Sequence, residues 1–237
     1  MERGQIEAVI RRDTRVFFRT SWFFLPLSIV QVLVMQFTTM GEVLKPDLPI
    51  SLQHTILTGL MGYVPMMIIP FLGNMILNKS MLEQRLRQTI TRTLATGIEP
   101  RVLWWTKFAV AALLSYSLMF LCEIALWGLV WLRTSMTLSL TLPATVNILL
   151  VNPAFSLAVL AMMGLFDWAF KKPGLIIMFL PMAVMFGGWM LAAQNPLLTT
   201  QFSSVTAGSI ILASAGTILL CGLISSRLSK ERVAALY

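Results

Sequence analysis

Six apolar runs dominate this chain, at approximately residues 22–40, 54–77, 102–132, 144–166, 173–193 and 205–226. Each approaches or exceeds the ~20 residues that a helix needs to cross ~30 Å of hydrocarbon. In lipid the backbone must satisfy its own N–H and C=O groups, and a continuous apolar run does so as a helix. A β-barrel would alternate with period two, and these runs do not. The predicted fold class is therefore all-α, a polytopic membrane protein of six transmembrane helices. Composition agrees: charged residues make up 12% of the 237 and hydrophobic residues 57%, whereas a soluble domain carries about 25% charge. No linker or shift in composition divides the chain, so residues 1–237 read as one integral membrane domain. The first run is too long for a secretory signal peptide and no small-residue cleavage site follows it.

The net charge of +8 would suit a nucleic-acid partner in a soluble protein, but its placement marks topology instead. With six spans, the termini and the cytoplasmic loops share one side, and every Lys and Arg except Lys45 and Arg133 falls there. The positive-inside rule then puts both termini in the cytoplasm. The bilayer and its anionic headgroups are the expected surface partner, with no role for nucleic acid. The expected location is the inner or plasma membrane of a prokaryotic cell. Cys122 and Cys221 fall inside spans and read as small packing residues without metal or redox spacing. His54 is the only histidine, and no H-E-x-x-H motif accompanies it. No catalytic, cofactor or metal site is expected in the chain.

Two polar segments interrupt the hydrocarbon pattern. Across residues 4–20, Ile6, Val9, Ile10, Val16 and Phe17 share one helical face, and Arg11, Arg12, Arg15 and Arg19 lie mostly elsewhere. This predicts an amphipathic helix in the cytoplasmic interface. The second segment, 79–100, separates the second and third runs. Ser80 and Glu83 match a capping box. Leu82, Leu86, Ile90 and Leu94 recur every four residues, and Gly97 and Pro100 suit a helix stop and the next helix start. A helix over 81–96 is predicted, with Arg85, Arg87 and Arg92 projecting away from its apolar stripe. The third run begins with Trp104, Trp105 and Lys107, residue types that suit the headgroup zone.

Inside the spans, Glu123 is the costliest residue to place, because a carboxylate there has to be neutralised, paired or wetted. Gln31, Gln36, Asn74, Asn147 and Asn152 are the other polar candidates. Together with Glu123 they are the residues from which a translocation path would be drawn, or else they join helices by amide hydrogen bonds. Pro26, Pro65, Pro70, Pro153 and Pro181 remove backbone donors within spans, and Asn152-Pro153 marks a candidate break in the fourth.

The chain resembles the permease subunits of the type-two ABC exporter family. Those proteins have six spans, an amphipathic cytoplasmic start, and between spans two and three a run like Glu-Arg-Glu-x-Gly-Thr-Leu-Glu-x-Leu-Leu-x-Thr-Pro-Ile/Val, followed by Gly-Lys. Here Thr89-Ile90, Leu94-Ala95-Thr96-Gly97-Ile98 and Lys107 match that pattern. Gln88, Thr91, Gly97 and Thr106 depart from it, and Glu83 stands one place from the first glutamate. The resemblance implies that segment 79–100 is a cytoplasmic coupling helix docking a separate ABC ATPase through Glu83, Arg85, Arg87, Thr89, Arg92, Thr96 and Gly97. It also implies a second copy of the chain and an amphipathic or hydrophobic substrate such as a drug, lipid or peptide. The chain has no phosphate loop, so it is not expected to be an enzyme. ATP and Mg would belong to the partner. The alternatives are a non-transporting scaffold or sensor that docks a cytoplasmic protein, and an ion-coupled secondary transporter.

Overall fold

A computed structural model describes residues 49–78, 80–81, 98–134, 140–169 and 203–228, with single positions between 4 and 34 and at 183 and 187. Four long helices are described: α1 Ile50–Asn78, α2 Pro100–Thr134, α3 Leu142–Ala169 and α4 Ser204–Ser226. Each is long and apolar enough to cross a membrane. They coincide with the second, third, fourth and sixth predicted runs, and the chain is a multi-pass helical membrane protein. Most of the first and fifth runs, nearly all of segment 79–100 and much of segment 4–20 lie outside the described residues. Within the latter segment Gly4, Glu7, Ala8, Ile10, Arg11, Arg12, Thr14, Arg15 and Arg19 are helical.

Local chemistry accounts for the helix starts. Pro100 opens α2 at a position that needs no N–H donor, and the Leu103 amide donates to Glu99 O at 3.1 Å. Thr141 caps α3 by accepting from the Ala144 amide, with Pro143 in the first turn. Ser203 caps α4, its Oγ accepting from the Thr206 amide at 3.1 Å.

α1 is the central helix, packed against both α2 and α3, while α4 packs chiefly on α3. Exposure follows from this order: 83% of the apolar window of α1 is buried, against 17% for α4. Lipid is as apolar as leucine, so helix association in a membrane depends on close approach rather than on hiding apolar surface. The buried face of α4 accordingly consists of small residues, Ala207, Ser214, Cys221, Gly222 and Ser225. A Cβ at Gly222 would collide with the Trp105 ring of α2, and one at Gly73 would meet Leu160 Cδ2 at 2.6 Å.

Two local expectations change. Trp104 and Lys107, expected in the headgroup zone, are both fully buried, because α2 begins against the ends of α1 and α3 rather than in open lipid. Trp104 stacks on Phe108 with ring centroids 5.3 Å apart. Ser80, expected to cap a new helix, is itself helical. Its hydroxyl donates back to Leu77 O at 3.2 Å. A true N-cap residue would be extended.

Candidate functional site

The site begins with two prolines. Pro153 has no N–H to give to Leu149 O, four residues back, and its ring presses on that carbonyl. α3 responds by widening: Leu142–Val146 is α-helical, Asn147–Val151 is a π-helical stretch, and the α-helix resumes at Asn152. The Asn152 amide reaches back five residues to Asn147 O. The carbonyl left without its helical donor is taken by α2, where Tyr116 Oη donates to Leu149 O at 2.9 Å. In α1, Pro65 likewise removes the donor for Met61 O. One residue on, Gly62 O accepts from Asn152 Nδ2 at 2.7 Å. Two loosened turns thus face each other and are tied together by the buried Asn152 side chain, with Tyr116 of α2 closing on the second.

A cavity of about 240 Å³ lies beside these turns. Met61 of α1, Glu123, Ile124 and Trp127 of α2, Leu140, and Thr145, Ile148 and Leu149 of α3 line it. Met61 and Leu149 are the residues four places before Pro65 and Pro153, so the cavity occurs where both helices depart from regular packing. Glu123 is 4% exposed. Neither of its carboxylate oxygens has a hydrogen-bond partner among the described residues. Ile124 and Trp127 are 52% and 44% exposed and form the outer wall. The cavity therefore sits at the bundle's flank with an apolar surface, and the Glu123 carboxylate is buried behind that lining.

A second cluster lies at the opposite end of the bundle, sixteen residues or ~24 Å back along α2 from Glu123. Lys107 Nζ donates to Ser80 O at 2.6 Å, wholly inside the protein. This bond joins the first turns of α2 to the end of α1, the two points between which segment 79–100 runs. Gly164 of α3 completes the junction: a Cβ there would meet Leu77 Cδ1 at 3.2 Å and Trp104 Nε1 at 3.7 Å. One turn further along α3, Asp167 and Trp168 are also buried. At the N-terminal helix a basic groove of about 470 Å³ is lined by Gly4, Glu7, Ala8, Arg11, Arg12 and Arg15. Within it Arg11 Nη2 and Glu7 Oε1 pair at 3.1 Å.

Of the residues proposed to line a path, Glu123 alone lines the cavity among the described ones. Asn147 is buried in the π turn next to Ile148, and Asn152 joins α3 to α1. Asn74 accepts from Asn78 Nδ2 at 3.3 Å near the Lys107 junction. Its distance from Met61 along α1 is thirteen residues, ~20 Å. Gln31 and Gln36 lie outside the described residues, as do Glu83, Arg85, Arg87, Thr89, Arg92, Thr96 and Gly97. Sequence reasoning passed over Tyr116, Asp167 and Trp127. Tyr116 was reachable only by asking which donor serves the carbonyl four residues before Pro153. Asp167 falls one residue beyond the predicted end of the fourth run, where a charge reads as loop.

The fold and this arrangement define a helical multi-pass membrane protein with an apolar cavity beside a buried carboxylate. Comparison with protein-family models, curated proteins and solved structures gives no match to this chain.

Proposed function

We propose that this chain is a membrane permease subunit of the ABC-exporter type, driven by a separate cytoplasmic ATPase and working with a second copy of itself. One observation carries the reading. The buried Lys107–Ser80 bond clamps the end of α1 to the start of α2 at the base of the polar segment 79–100. A force applied to that segment is delivered to both spans together, as coupling to a soluble motor requires. Lys107 is also the residue that matches the exporter pattern. The cavity at Glu123 supplies a place inside the bilayer for cargo, and its apolar wall fits an amphipathic or hydrophobic substrate. On this reading both termini are cytoplasmic, in a prokaryotic inner or plasma membrane. ATP and Mg belong to the partner, because this chain has no phosphate loop.

The test is to purify the chain with the ATPase that accompanies it and to replace Arg85 and Arg87 by glutamate. Complex formation and coupled ATP hydrolysis are expected to fall sharply, since charge reversal on a docking surface opposes the steering that favours encounter. Unchanged assembly and hydrolysis would remove the docking assignment. The buried carboxylate also favours one rival, an ion-coupled secondary transporter, and substrate uptake in proteoliposomes driven by an ion gradient without ATP would establish that rival instead.

A further inference from the structure

We infer that Glu123 is a proton-binding site: it is a neutral acid while α2 and α3 are closed as in this structure, and it releases its proton to water only when they part. The inference goes beyond the transport reading and needs no ATPase. A carboxylate within a membrane has to be paired, wetted or neutralised. Pairing fails first, because neither carboxylate oxygen meets a hydrogen-bond donor among the described residues. No Lys, Arg or His is among the described residues that line the adjoining cavity. Wetting fails next. Glu123 is buried, and the cavity beside it presents an apolar surface. Thr145 brings a hydroxyl to that lining, but it donates to Thr141 O at 3.1 Å. A buried water needs about two to four polar partners, and apolar cavities stay dry. Neutralisation remains, since an isolated charge that nothing compensates is avoided by taking up a proton.

The titratable and charged groups of the surrounding helices are few. On α1, His54 stands seven residues or ~10 Å before Met61, and buried Tyr63 follows two residues after it. On α2, Cys122 is the neighbour in sequence, and Tyr116 is bonded to Leu149 O. The cations Lys107 and Arg133 of α2 stand sixteen and ten residues from Glu123, ~24 and ~15 Å along the helix. α3 carries Asp167, nineteen residues or ~28 Å beyond Ile148, and α4 carries Cys221.

Release needs water, and the fold offers a place to admit it. α2 packs on α1 far more than on α3, and beside Glu123 the Tyr116–Leu149 bond pins α2 to α3. The α3 side of that seam is the π turn Asn147–Val151. When that turn swings away from α2, the carboxyl passes its proton to the incoming water and stays behind as a hydrated carboxylate. The closed bundle therefore holds the proton more tightly than the open one, so acid favours the closed form and alkali the open form. An exposed glutamate ionises near pH ~4.3. Above that, one proton leaves per opening. The open fraction then grows by up to about tenfold per pH unit for as long as the closed form keeps its proton.

The test uses the full chain, without any partner, in nanodiscs of phosphatidylcholine. Infrared spectra at neutral pH are expected to show the carbonyl stretch of a protonated carboxyl, and Glu123→Gln is expected to remove it. A second readout follows the opening. Ile148→Cys, with Cys122 and Cys221 replaced by alanine, places a thiol on the cavity wall for a charged methanethiosulfonate that reacts only from water. Its labelling rate is compared with that of the same thiol alongside Glu123→Gln, where nothing ionises and thiol ionisation is common to both. The ratio of the two rates is expected to rise with pH, by up to about tenfold per unit. Absence of the protonated band from the unaltered protein would overturn the proposal even if the variants failed to fold. A band that survives Glu123→Gln, or a rate ratio that stays flat with pH, would overturn it too. Failure here is separable from failure of the exporter reading, which is tested by the Arg85 and Arg87 reversals with the ATPase present.

Discussion

Tyr116 and Pro153 give the sharpest test of how the cavity is built. In the structure the phenol of Tyr116 stands in for an amide that Pro153 lacks, at 2.9 Å from Leu149 O. Tyr116→Phe removes only the hydroxyl and leaves a half-buried carbonyl without a donor. A hydrogen bond between membrane helices is worth ~0.6 kcal/mol on average and up to ~1.7. The orphaned carbonyl places this one in the upper part of that range, so a loss of about 1–1.5 kcal/mol is expected. The decisive measurement is the same substitution made together with Pro153→Ala. Alanine restores an N–H at position 153 within reach of Leu149 O, so the π turn at Asn147–Val151 relaxes toward α-helix and the phenol becomes redundant. In that background Tyr116→Phe is expected to cost no more than a few tenths of a kcal/mol. The coupling energy between the two sites is then about 1 kcal/mol, well above the ~0.3–0.5 kcal/mol seen for independent positions. Reversible unfolding in bicelles, followed by steric trapping or by SDS titration, reads all four proteins. Equal cost of Tyr116→Phe in both backgrounds would refute the argument that proline creates the need that tyrosine meets.

Two further outcomes follow from the packing. Lys107→Met keeps the buried stem but removes the ammonium that holds Ser80 O. A charge-assisted hydrogen bond contributes ~1.5–3 kcal/mol, and a loss in that range is expected in the same unfolding assay, with faster amide exchange at the end of α1; a loss below ~0.5 kcal/mol would show that the clamp is idle. Gly222→Val drives a side chain into Trp105 and is expected to cost ~1–3 kcal/mol by overpacking, whereas Gly208→Ala, whose Cβ meets nothing within 4 Å, should be neutral or stabilising through helix propensity; equal effects at both glycines would contradict the placement of α4 against α2.

Much of this was legible without coordinates, and the reason is physical. A bilayer removes the choices that water leaves open, because a long apolar run has to satisfy its own backbone and does so as a helix. Four of the predicted runs therefore appear as helices with ends shifted by a few residues, α1 starting at Ile50 rather than near His54. The uneven spread of Lys and Arg was likewise a property of sequence order alone. Glu123 stood out as soon as its span was drawn, since a carboxylate in hydrocarbon is costly wherever its neighbours lie.

The neighbours were another matter. Lys107 and Trp104 are residue types that serve equally well at a headgroup or in a core, and only the convergence of α1, α2 and α3 puts them in the core. Asn152 and Asn74 looked equivalent as intramembrane amides, yet one ties α3 to α1 and the other bonds its own helix. Pro153 announced a break, but the donor that repairs it comes from Tyr116, thirty-seven residues earlier on another helix. The sequence by itself determined which segments enter the membrane and how costly each polar residue would be there. Tertiary structure alone decided which of those residues meet, because in lipid the approach of helices is set by the shape of small-residue faces and by single hydrogen bonds, neither of which has a period that can be read along the chain.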